Sequence, residues 1–268
     1  MAADRPGGGA AFFDVDNTIV RGASIFHLAR GLYQRDFFTV RDIGRFALEQ
    51  LRFILVGENL EDVASIQERA LAFVKGHSVV EMRAIGEEVY DELMVDKIWP
   101  GTQALANLHL AAGEPVWLVT ATPVEVADVI ASRLGLTGAL GTVSEHIGGI
   151  YTGRLTGPPM HGKAKADAVL ALTVSQGLDL EQCSAYSDSS NDIPLLSLVG
   201  HPFAINPDAR LLAHARAQGW QVRDFRTGRK AAKIGIPAAA AVGALGGAVA
   251  AAVAVNRRRR PVQPPVGQ

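Results

Sequence analysis

The spacing of apolar residues divides the chain into two parts. Between residues 22 and 95, apolar side chains recur every three or four positions, which predicts helices, and no strand pattern interrupts them. The last predicted helix begins with Ser78 and Glu81, a spacing typical of an N-terminal capping box. The predicted helices cover residues 24–34, 40–56, 60–75 and 78–94.

After residue 95, short apolar runs alternate with helical patterns. Pro100 and Gly101 are expected to break the helical pattern before this second part begins. Strands are predicted at residues 115–120, 183–187, 202–206 and 221–225, with a hairpin over 142–155 that turns at Gly148 and Gly149. Helices are predicted at residues 102–112, 123–134, 163–175, 192–199 and 207–218. This alternation predicts an α/β fold with a doubly wound, Rossmann-like parallel sheet.

Polar side chains follow the predicted buried strands at the point where each strand ends. Ligands of such sheets bind beyond the carboxyl ends of the strands, so these side chains should meet in one crevice. Carboxylates at the end of a buried strand are costly unless a cation or a reaction uses them. The group consists of Asp14 and Asp16 after the first apolar run, Thr120 after the second strand, Asp188, Asn191 and Asp192 after the third, and Lys165 from a helix start.

This set of residues suits phosphoryl transfer. Clustered carboxylates are ligands for Mg²⁺, which also takes substrate phosphate oxygens. An aspartate can attack phosphorus and form an aspartyl-phosphate. A lysine and a hydroxyl can stabilise the phosphoryl oxygens, and a second carboxylate can move the proton.

Several assignments within this group have an alternative nearby in the sequence. Lys163 could replace Lys165 as the phosphate lysine. Thr122 competes with Thr120, but it is expected to point to the other face of the strand or to cap the following helix. Asn17 and Ser189 are interpreted as turn residues.

The motifs resemble those of the haloacid dehalogenase-like superfamily. The run Asp14-Val15-Asp16-Asn17-Thr18 is similar to its first motif, Thr120 to its second, Lys165 to its third, and Asp188 with Asp192 to its fourth. The resemblance covers roughly residues 10–225 and is greatest to subfamily IB, which contains the phosphoserine phosphatases. It implies a catalytic core over residues 10–21 and 96–228 with a helical cap at 22–95, between a flexible start at 1–9 and a tail at 229–268.

The resemblance also implies a role for each motif residue. Asp14 would be the nucleophile and Asp16 the general acid/base. Mg²⁺ would be held by the side chains of Asp14 and Asp188 and by the backbone carbonyl of Asp16. Asp192 would orient metal-bound waters or Lys165. Thr120, Lys165 and Asn191 would bind the phosphoryl group.

The identity of the substrate is less clearly indicated. Phosphoserine phosphatases usually have a glutamate for the substrate amine at the position that Ala23 occupies here. Their cap arginine for the substrate carboxylate has a counterpart in Arg69, which could equally be a surface residue. The sequence therefore predicts a small phosphorylated metabolite as substrate, with phosphoserine itself as an alternative.

The charge is distributed unevenly along the chain. Residues 226–268 hold eight basic side chains and no acidic one, so the remaining 18 basic and 27 acidic side chains give residues 1–225 a formal net charge of −9. An acidic body argues against nucleic acid as a partner. The N-terminus has no apolar signal-peptide segment, which predicts a cytoplasmic catalytic domain.

The tail contains an uncharged stretch over residues 234–255. Its 22 residues are long enough for a membrane-spanning helix, but ten are alanine and only seven are Ile, Leu or Val, so insertion is marginal. A surface-lying helix or a disordered tail is the alternative. Gly243 and Gly247 form a G-x-x-x-G pattern compatible with a homodimer. The tail motivates a membrane-proximal or lipid phosphate phosphatase as a second function, and a non-enzymatic, membrane-tethered interaction protein as a third.

Overall fold

The computed structural model describes residues 8–35 and 74–226. The predicted helix 40–56, most of the predicted helix 60–75, Arg69 and the apolar stretch 234–255 lie outside these ranges. Within them, none of the helices combines the length and the apolar character needed to cross a membrane.

A six-stranded sheet forms the centre of the fold. Its strand order is β3-β2-β1-β6-β7-β8, and every neighbouring pair is parallel, as the alternation of strands and helices predicts. Chain connections run first to one side of β1 and then to the other, which makes the sheet doubly wound. The strands are β1 (Ala11–Phe13), β2 (Val116–Pro123), β3 (Gly138–Thr142), β6 (Ser184–Ser187), β7 (His201–Ile205) and β8 (Gln221–Arg223).

Two hydrophobic cores cover the two faces of this sheet. The helices of the described ranges are α1 (Ser24–Gln34), α2 (Val79–Val89), α3 (Pro100–Ala111), α4 (Val124–Arg133), α5 (Lys163–Gln176), α6 (Ile193–Leu196) and α7 (Ala209–Gln218). Phe13 packs in the core that includes α2, α3 and α4, and Phe12 packs in the core that includes α5, α6 and α7. Because successive strand residues face opposite sides, β1 is apolar at every position.

The first helices show both agreement with the sequence pattern and one correction. α1 has the predicted bounds, and the side chain of Ser78 accepts a hydrogen bond from the backbone N–H of Glu81 at the start of α2. Beyond α2 the chain continues as one π-helical turn, Tyr90–Met94, and a short 3₁₀ turn, Val95–Lys97. As expected, the helical run ends before Pro100, but α3 begins at Pro100 itself rather than at residue 102, because a first-turn proline lacks only an N–H that would be unpaired anyway.

The remaining elements follow the predicted order, except that β3, an edge strand of the sheet, was not predicted from the sequence. Residues 142–155 contain an antiparallel hairpin of β4 (Ser144–Ile147) and β5 (Ile150–Leu155). Gly148 and Gly149, which form its turn, both have positive φ angles of 59° and 79°. This is the backbone conformation that favours glycine in two-residue hairpin turns.

The register of the central strands places the carboxyl ends of β1 and β6 side by side, next to the middle of β2. Phe13 of β1 lies opposite Leu118 of β2 and Tyr186 of β6. The residues that follow β1 and β6 therefore leave the sheet at one edge, beside the second half of β2. This edge lies at the switch point of the topology, where the connections from β1 diverge, and it is where such sheets bind their ligands.

Candidate active site

A cavity of about 250 Å³ lies at this edge of the sheet. It is lined by residues that follow β1 and β6, by residues within the second half of β2 and by the start of α5. The lining residues are Asp14, Asp16, Asn17, Ala23, Thr120, Ala121, His161, Lys165, Asp188, Ser189, Asn191 and Asp192. Every catalytic, metal-binding or phosphate-binding residue predicted from the sequence within the described ranges thus borders one space.

Lys165 joins two of the carboxylates. Its Nζ lies 2.6 Å from Oδ1 of Asp14 and 2.8 Å from Oδ2 of Asp192. All three residues are at most 5% exposed. Asp192 also accepts a hydrogen bond from the Oγ of Ser187 at 2.7 Å. This network holds the lysine ammonium directly beside the predicted nucleophile.

Lys163 points away from the cavity. It is exposed, and its Nζ forms an ion pair with Oδ1 of Asp167 at 2.6 Å, one helical turn further along α5. Two residues correspond to about 200° around a helix, so Lys163 and Lys165 must face opposite sides of α5. Of the two lysines considered from the sequence, the fold brings Lys165 to the carboxylates.

The carboxylates are crowded enough to disfavour full ionisation. Burial raises the pKa of Asp14 to about 7, helped by repulsion from Asp192 and Asp16 and opposed by Lys165. Burial and the charges of Asp14 and Asp192 likewise raise the pKa of Asp188 well above its ordinary value. Although burial alone would lower the pKa of Lys165, Asp14 and Asp192 raise it, so the lysine remains protonated.

Asp16 occupies a tight loop between β1 and α1. The loop is closed by Asn17, which has a positive φ of 56° and whose Oδ1 accepts a hydrogen bond from the N–H of Gly22 at 3.0 Å. This confirms the interpretation of Asn17 as a turn residue. Oδ1 of Asp16 accepts hydrogen bonds from both the N–H and the Oγ of Ser24, at 2.8 and 2.5 Å. Burial raises the pKa of Asp16, and these two bonds oppose the rise.

Thr120 and Thr122 lie on the same side of β2, contrary to the sequence-based expectation for Thr122. The Oγ1 of Thr120 donates to the Oγ1 of Thr122 at 3.0 Å, and both side chains are buried. Residues two apart on a strand face the same way, which is the physical reason for the correction. Thr122 does not cap α4 either, since the N-cap position of that helix is Pro123 and no side chain bonds to it.

The loop after β6 is fixed by the start of α7. The backbone N–H of Asp208 donates to the carbonyl of Asp188 at 2.8 Å, and Oδ2 of Asp208 accepts from the N–H of Ser190 at 2.7 Å. Oδ1 of Asp208 caps α7 by accepting from the N–H of Leu211. Ser189 serves as a turn residue, as expected, because its Oγ accepts from the N–H of Asn191. The carboxylate of Asp188 is thereby held at the cavity.

The donor set of the cavity fits a divalent cation that keeps water and phosphate ligands. Four carboxylates, those of Asp14, Asp16, Asp188 and Asp192, face one ammonium group. Nevertheless, in residues 8–35 and 74–226 no three His, Cys, Asp or Glu side chains are grouped as a self-sufficient metal site. Mg²⁺ is usually held by only one or two carboxylates, with waters and substrate oxygens completing its shell. The excess negative charge therefore fits a Mg²⁺ ion that keeps water and phosphate ligands better than it fits a metal held by protein side chains alone.

Some residues at the site were not singled out from the sequence. His161, at the exposed mouth of the cavity, precedes the helix start that carries Lys165. Ser24, Ser187 and Asp208 contact the motif residues without belonging to a motif. For Asp208 a signal existed, since an aspartate before a helix is typical of an N-cap. His161, Ser24 and Ser187 have no such signal in the sequence, and only the folded structure brings them to the site. Arg69 lies outside the described ranges.

Comparison with known proteins gives matches along most of the chain. A sequence profile described as "haloacid dehalogenase-like hydrolase" matches residues 11–197. A protein of Mycobacterium tuberculosis (strain ATCC 25618 / H37Rv) named phosphoserine phosphatase SerB1 is 58% identical over 252 residues, which cover 94% of this chain and 82% of that protein.

Solved structures with a similar fold also exist. The crystal structure of a protein with unknown function from Bordetella pertussis Tohama I has a TM-score of 0.72 and 31% identity, and the match covers 82% of this chain and 99% of that one. A phosphoserine phosphatase structure described as a phospho-aspartyl intermediate analogue has a TM-score of 0.54 at 18% identity, with 82% and 94% coverage. This second likeness concerns the fold alone.

Proposed function

This chain belongs to the haloacid dehalogenase-like hydrolase family, and we propose that it is a Mg²⁺-dependent phosphomonoester hydrolase that acts on a small phosphorylated metabolite through an aspartyl-phosphate. The family profile spans residues 11–197, so the family resemblance inferred from the motifs, and with it the prediction of a hydrolytic enzyme, is confirmed. The observation that carries the finer proposal is the convergence of Asp14, Asp16, Thr120, Lys165 and Asp188 on one cavity.

In the first step, Asp14 attacks phosphorus. Lys165 is bonded to Oδ1 of Asp14, which leaves Oδ2 for the attack. The new bond joins this oxygen to phosphorus as the bond between phosphorus and the alcohol oxygen breaks. Asp16 then gives a proton to the departing alkoxide. Lys165 and Asn191 supply positive charge and donors for the phosphoryl oxygens, and Thr120 adds a donor when its hydroxyl turns from Thr122 to the substrate.

In the second step, water releases the phosphate. Asp16, now a carboxylate, accepts a proton from the water as its oxygen bonds to phosphorus, and the bond to Asp14 breaks. Inorganic phosphate leaves, and Asp14 is regenerated. The side chains of Asp14 and Asp188 and the backbone carbonyl of Asp16 would hold Mg²⁺. When bound, the ion neutralises charge on the phosphoryl oxygens.

The presence of Asp16 favours a phosphomonoester over other substrates of the family. An alcohol is a poor leaving group unless it is protonated, and a carboxyl group two residues beyond the nucleophile can do this. Other members of the superfamily differ at this position. Its dehalogenases lack an acid there, and its P-type ATPases carry a threonine.

Phosphoserine is the second candidate substrate. It is supported by the relative from Mycobacterium tuberculosis that is named phosphoserine phosphatase and is 58% identical. Against it stands Ala23, which lines the cavity where a carboxylate for the substrate amine is expected. Loss of a polar partner for the substrate amine can reduce discrimination between phosphoserine and esters that lack the amine by about 10⁴-fold. A phosphoserine phosphatase should therefore be much more selective for phosphoserine than a general small-metabolite phosphatase.

A phosphometabolite panel tests the proposal. Wild-type protein should release phosphate from 4-nitrophenyl phosphate and from a subset of the panel only when Mg²⁺ is present. Asp14→Asn should abolish turnover, while Asp167→Asn, which changes an exposed carboxylate on α5, should leave it unaltered. Undiminished activity of Asp14→Asn would exclude the mechanism. A strong preference for phosphoserine over phosphoethanolamine and glycerol phosphate would instead favour the second candidate.

The tail motivates the membrane-proximal alternative, which concerns residues outside the described ranges. Anchoring through residues 234–255 and a homodimer through Gly243 and Gly247 remain predictions. If the tail directs the enzyme to a lipid phosphate, removing residues 230–268 should change both vesicle binding and substrate preference. Unchanged binding and preference would leave the small-metabolite function.

A further inference from the structure

A line of buried hydroxyl groups leads from Thr120 to Asp16. The Oγ1 of Thr120 donates to Thr122 at 3.0 Å, and the Oγ1 of Thr122 lies 2.6 Å from the Oγ of Ser24. The Oγ of Ser24 lies 2.5 Å from Oδ1 of Asp16. Ser24 is fully buried and Thr122 is 3% exposed. Neither residue belongs to a sequence motif of the site.

The order of donors and acceptors along this line has one consistent solution. The hydroxyl of Ser24 donates its proton to Oδ1 of Asp16, and this direction holds whether the carboxyl group is ionised or carries its proton on Oδ2. The oxygen of Ser24 then accepts from the hydroxyl of Thr122, which in turn accepts from Thr120. The backbone N–H of Thr122 donates to Thr120 at 3.2 Å and closes the arrangement. The hydroxyl of Ser24 is therefore fixed in direction.

Both hydrogen bonds from Ser24 reach the same oxygen of Asp16. The N–H and the hydroxyl converge on Oδ1, and among the described residues no donor contacts Oδ2. Because Ser24 is the first residue of α1, its N–H is one of the helix donors without an intrahelical partner. The carboxylate is thus clamped through one oxygen, and the other is directed to the cavity.

We propose that Ser24, oriented by Thr122, is a positioning residue that holds the Asp16 carboxylate so that its Oδ2 meets the oxygen of the leaving group. This inference rests on the proposed function of Asp16 as general acid. In this proposal Ser24, the first residue of α1, aligns the proton donor. The proposal also explains why the hydroxyl of Ser24 is buried against Thr122 of β2, which is 98 positions away in the sequence.

The proposal predicts a loss that depends on the leaving group. An alkyl alcohol needs a proton to depart, whereas 4-nitrophenolate departs without one, so a misaligned acid harms alkyl esters selectively. A general defect in folding, metal binding or phosphate binding would harm both substrates alike. Since kcat/KM includes the step in which the leaving group departs, it is the parameter to compare.

The experiment measures kcat/KM of the full-length chain with Mg²⁺ for glycerol 2-phosphate and 4-nitrophenyl phosphate. We expect Ser24→Ala to lose about 10–100-fold on the alkyl ester and less than about fivefold on the aryl ester, because general acid catalysis is typically worth 10²–10⁴-fold. Ser24→Thr, which retains the hydroxyl, should recover most of the alkyl activity. Ser175→Ala, which removes an exposed hydroxyl bonded to the carbonyl of Leu172, should match wild type on both.

Equal losses on the two esters would overturn the proposal. If Ser24→Ala does not fold by circular dichroism, Thr122→Val is measured instead, because valine keeps the shape and removes the hydroxyl. It should show a smaller loss, about threefold, on the alkyl ester only, and an unchanged ratio of the two kcat/KM values would again overturn the idea. Failure of the proposed function is distinguishable, since wild type would then hydrolyse neither ester or Asp14→Asn would remain active.

Discussion

Replacing Lys165 with methionine removes the cation from a buried charge network. The Nζ of Lys165 bridges Asp14 at 2.6 Å and Asp192 at 2.8 Å, and none of these three side chains is more than 7% exposed. Methionine is similar in length and apolar, so the substitution deletes the charge while retaining volume. It leaves two buried carboxylates without their common partner.

The size of the effect follows from the burial of the pair. Removing one member of a buried ion pair typically costs about 3–5 kcal/mol of unfolding free energy. For a domain of this size, that corresponds to a fall in Tm of ~6–20 °C. Protonation limits the loss, because a neutral carboxyl group needs no cation. Since burial already raises the pKa of Asp14 to about 7, the destabilisation should be small at pH 5 and increase towards pH 8.

The assay is thermal unfolding of metal-free protein at a series of pH values, followed by turnover with Mg²⁺. Lys163→Met is the matched control, since Lys163 lies on the same helix turn but forms only an exposed pair with Asp167. That control should cost at most about 0.5 kcal/mol and keep wild-type turnover. Lys165→Met should lose about 10²–10³-fold in kcat, the typical effect of deleting one charge-stabilising donor.

Two results would refute this reasoning. If Lys163→Met and Lys165→Met lower stability and turnover equally, the burial of Lys165 has no energetic consequence. If the destabilisation by Lys165→Met does not vary with pH, the carboxylates are not the groups left unpaired. Adding Asp192→Asn to Lys165→Met should restore part of the stability, because it removes one of the two uncompensated charges.

Three further outcomes are expected. In EDTA the folded state keeps protons on Asp14 and Asp188 that the unfolded state loses above pH ~4, so the free energy of unfolding should fall as pH rises through about 7. The fall should be at most ~1.4 kcal/mol per pH unit per proton, and saturating Mg²⁺ should remove it. A urea titration at each pH measures this trend, and a rise in stability with pH would contradict it. Ser78→Ala should cost about 1 kcal/mol in urea unfolding through loss of the cap of α2, and no change would mean that the cap is energetically silent. Gly200→Ala should cost about 1–3 kcal/mol, because its Cβ would lie 2.0 Å from the carbonyl oxygen of Glu181, whereas Gly157→Ala meets nothing within 4 Å and serves as control.

Local signals in the sequence were sufficient for most of the second half of the fold. The alternation of apolar runs and helical patterns predicted the order of strands and helices from β2 to β8, with differences of a few residues at their ends, but it did not predict β3. The hairpin turn was predictable because two consecutive glycines favour positive φ angles. α3 begins at Pro100 and not at the predicted residue 102, because proline is accepted in the first turn of a helix.

The main residues of the candidate site were also predictable, since parallel strands end at a common edge. Asp14 and Asp188 directly follow β1 and β6, and Thr120 lies in the second half of the neighbouring strand β2, so their meeting follows from the topology. Helix geometry explains why Lys165 and not Lys163 faces the cavity, once the face of α5 that packs on the sheet is known. The order of the motifs and strands in the sequence was therefore sufficient to predict which residues lie at the centre of the cavity.

The supporting contacts were decided by the tertiary structure alone. Ser24 meets Thr122 across 98 positions of sequence, and Asn206 donates to the carbonyl of Asn17 across 189. No local pattern distinguishes such a serine or asparagine from one in an ordinary turn, because the partner is absent from the surrounding sequence. The sequence by itself determined which chemical groups this protein brings to the end of its sheet. The contact between Ser24 and Thr122 decided which hydroxyl orients Asp16, since that contact forms only when distant segments are folded together.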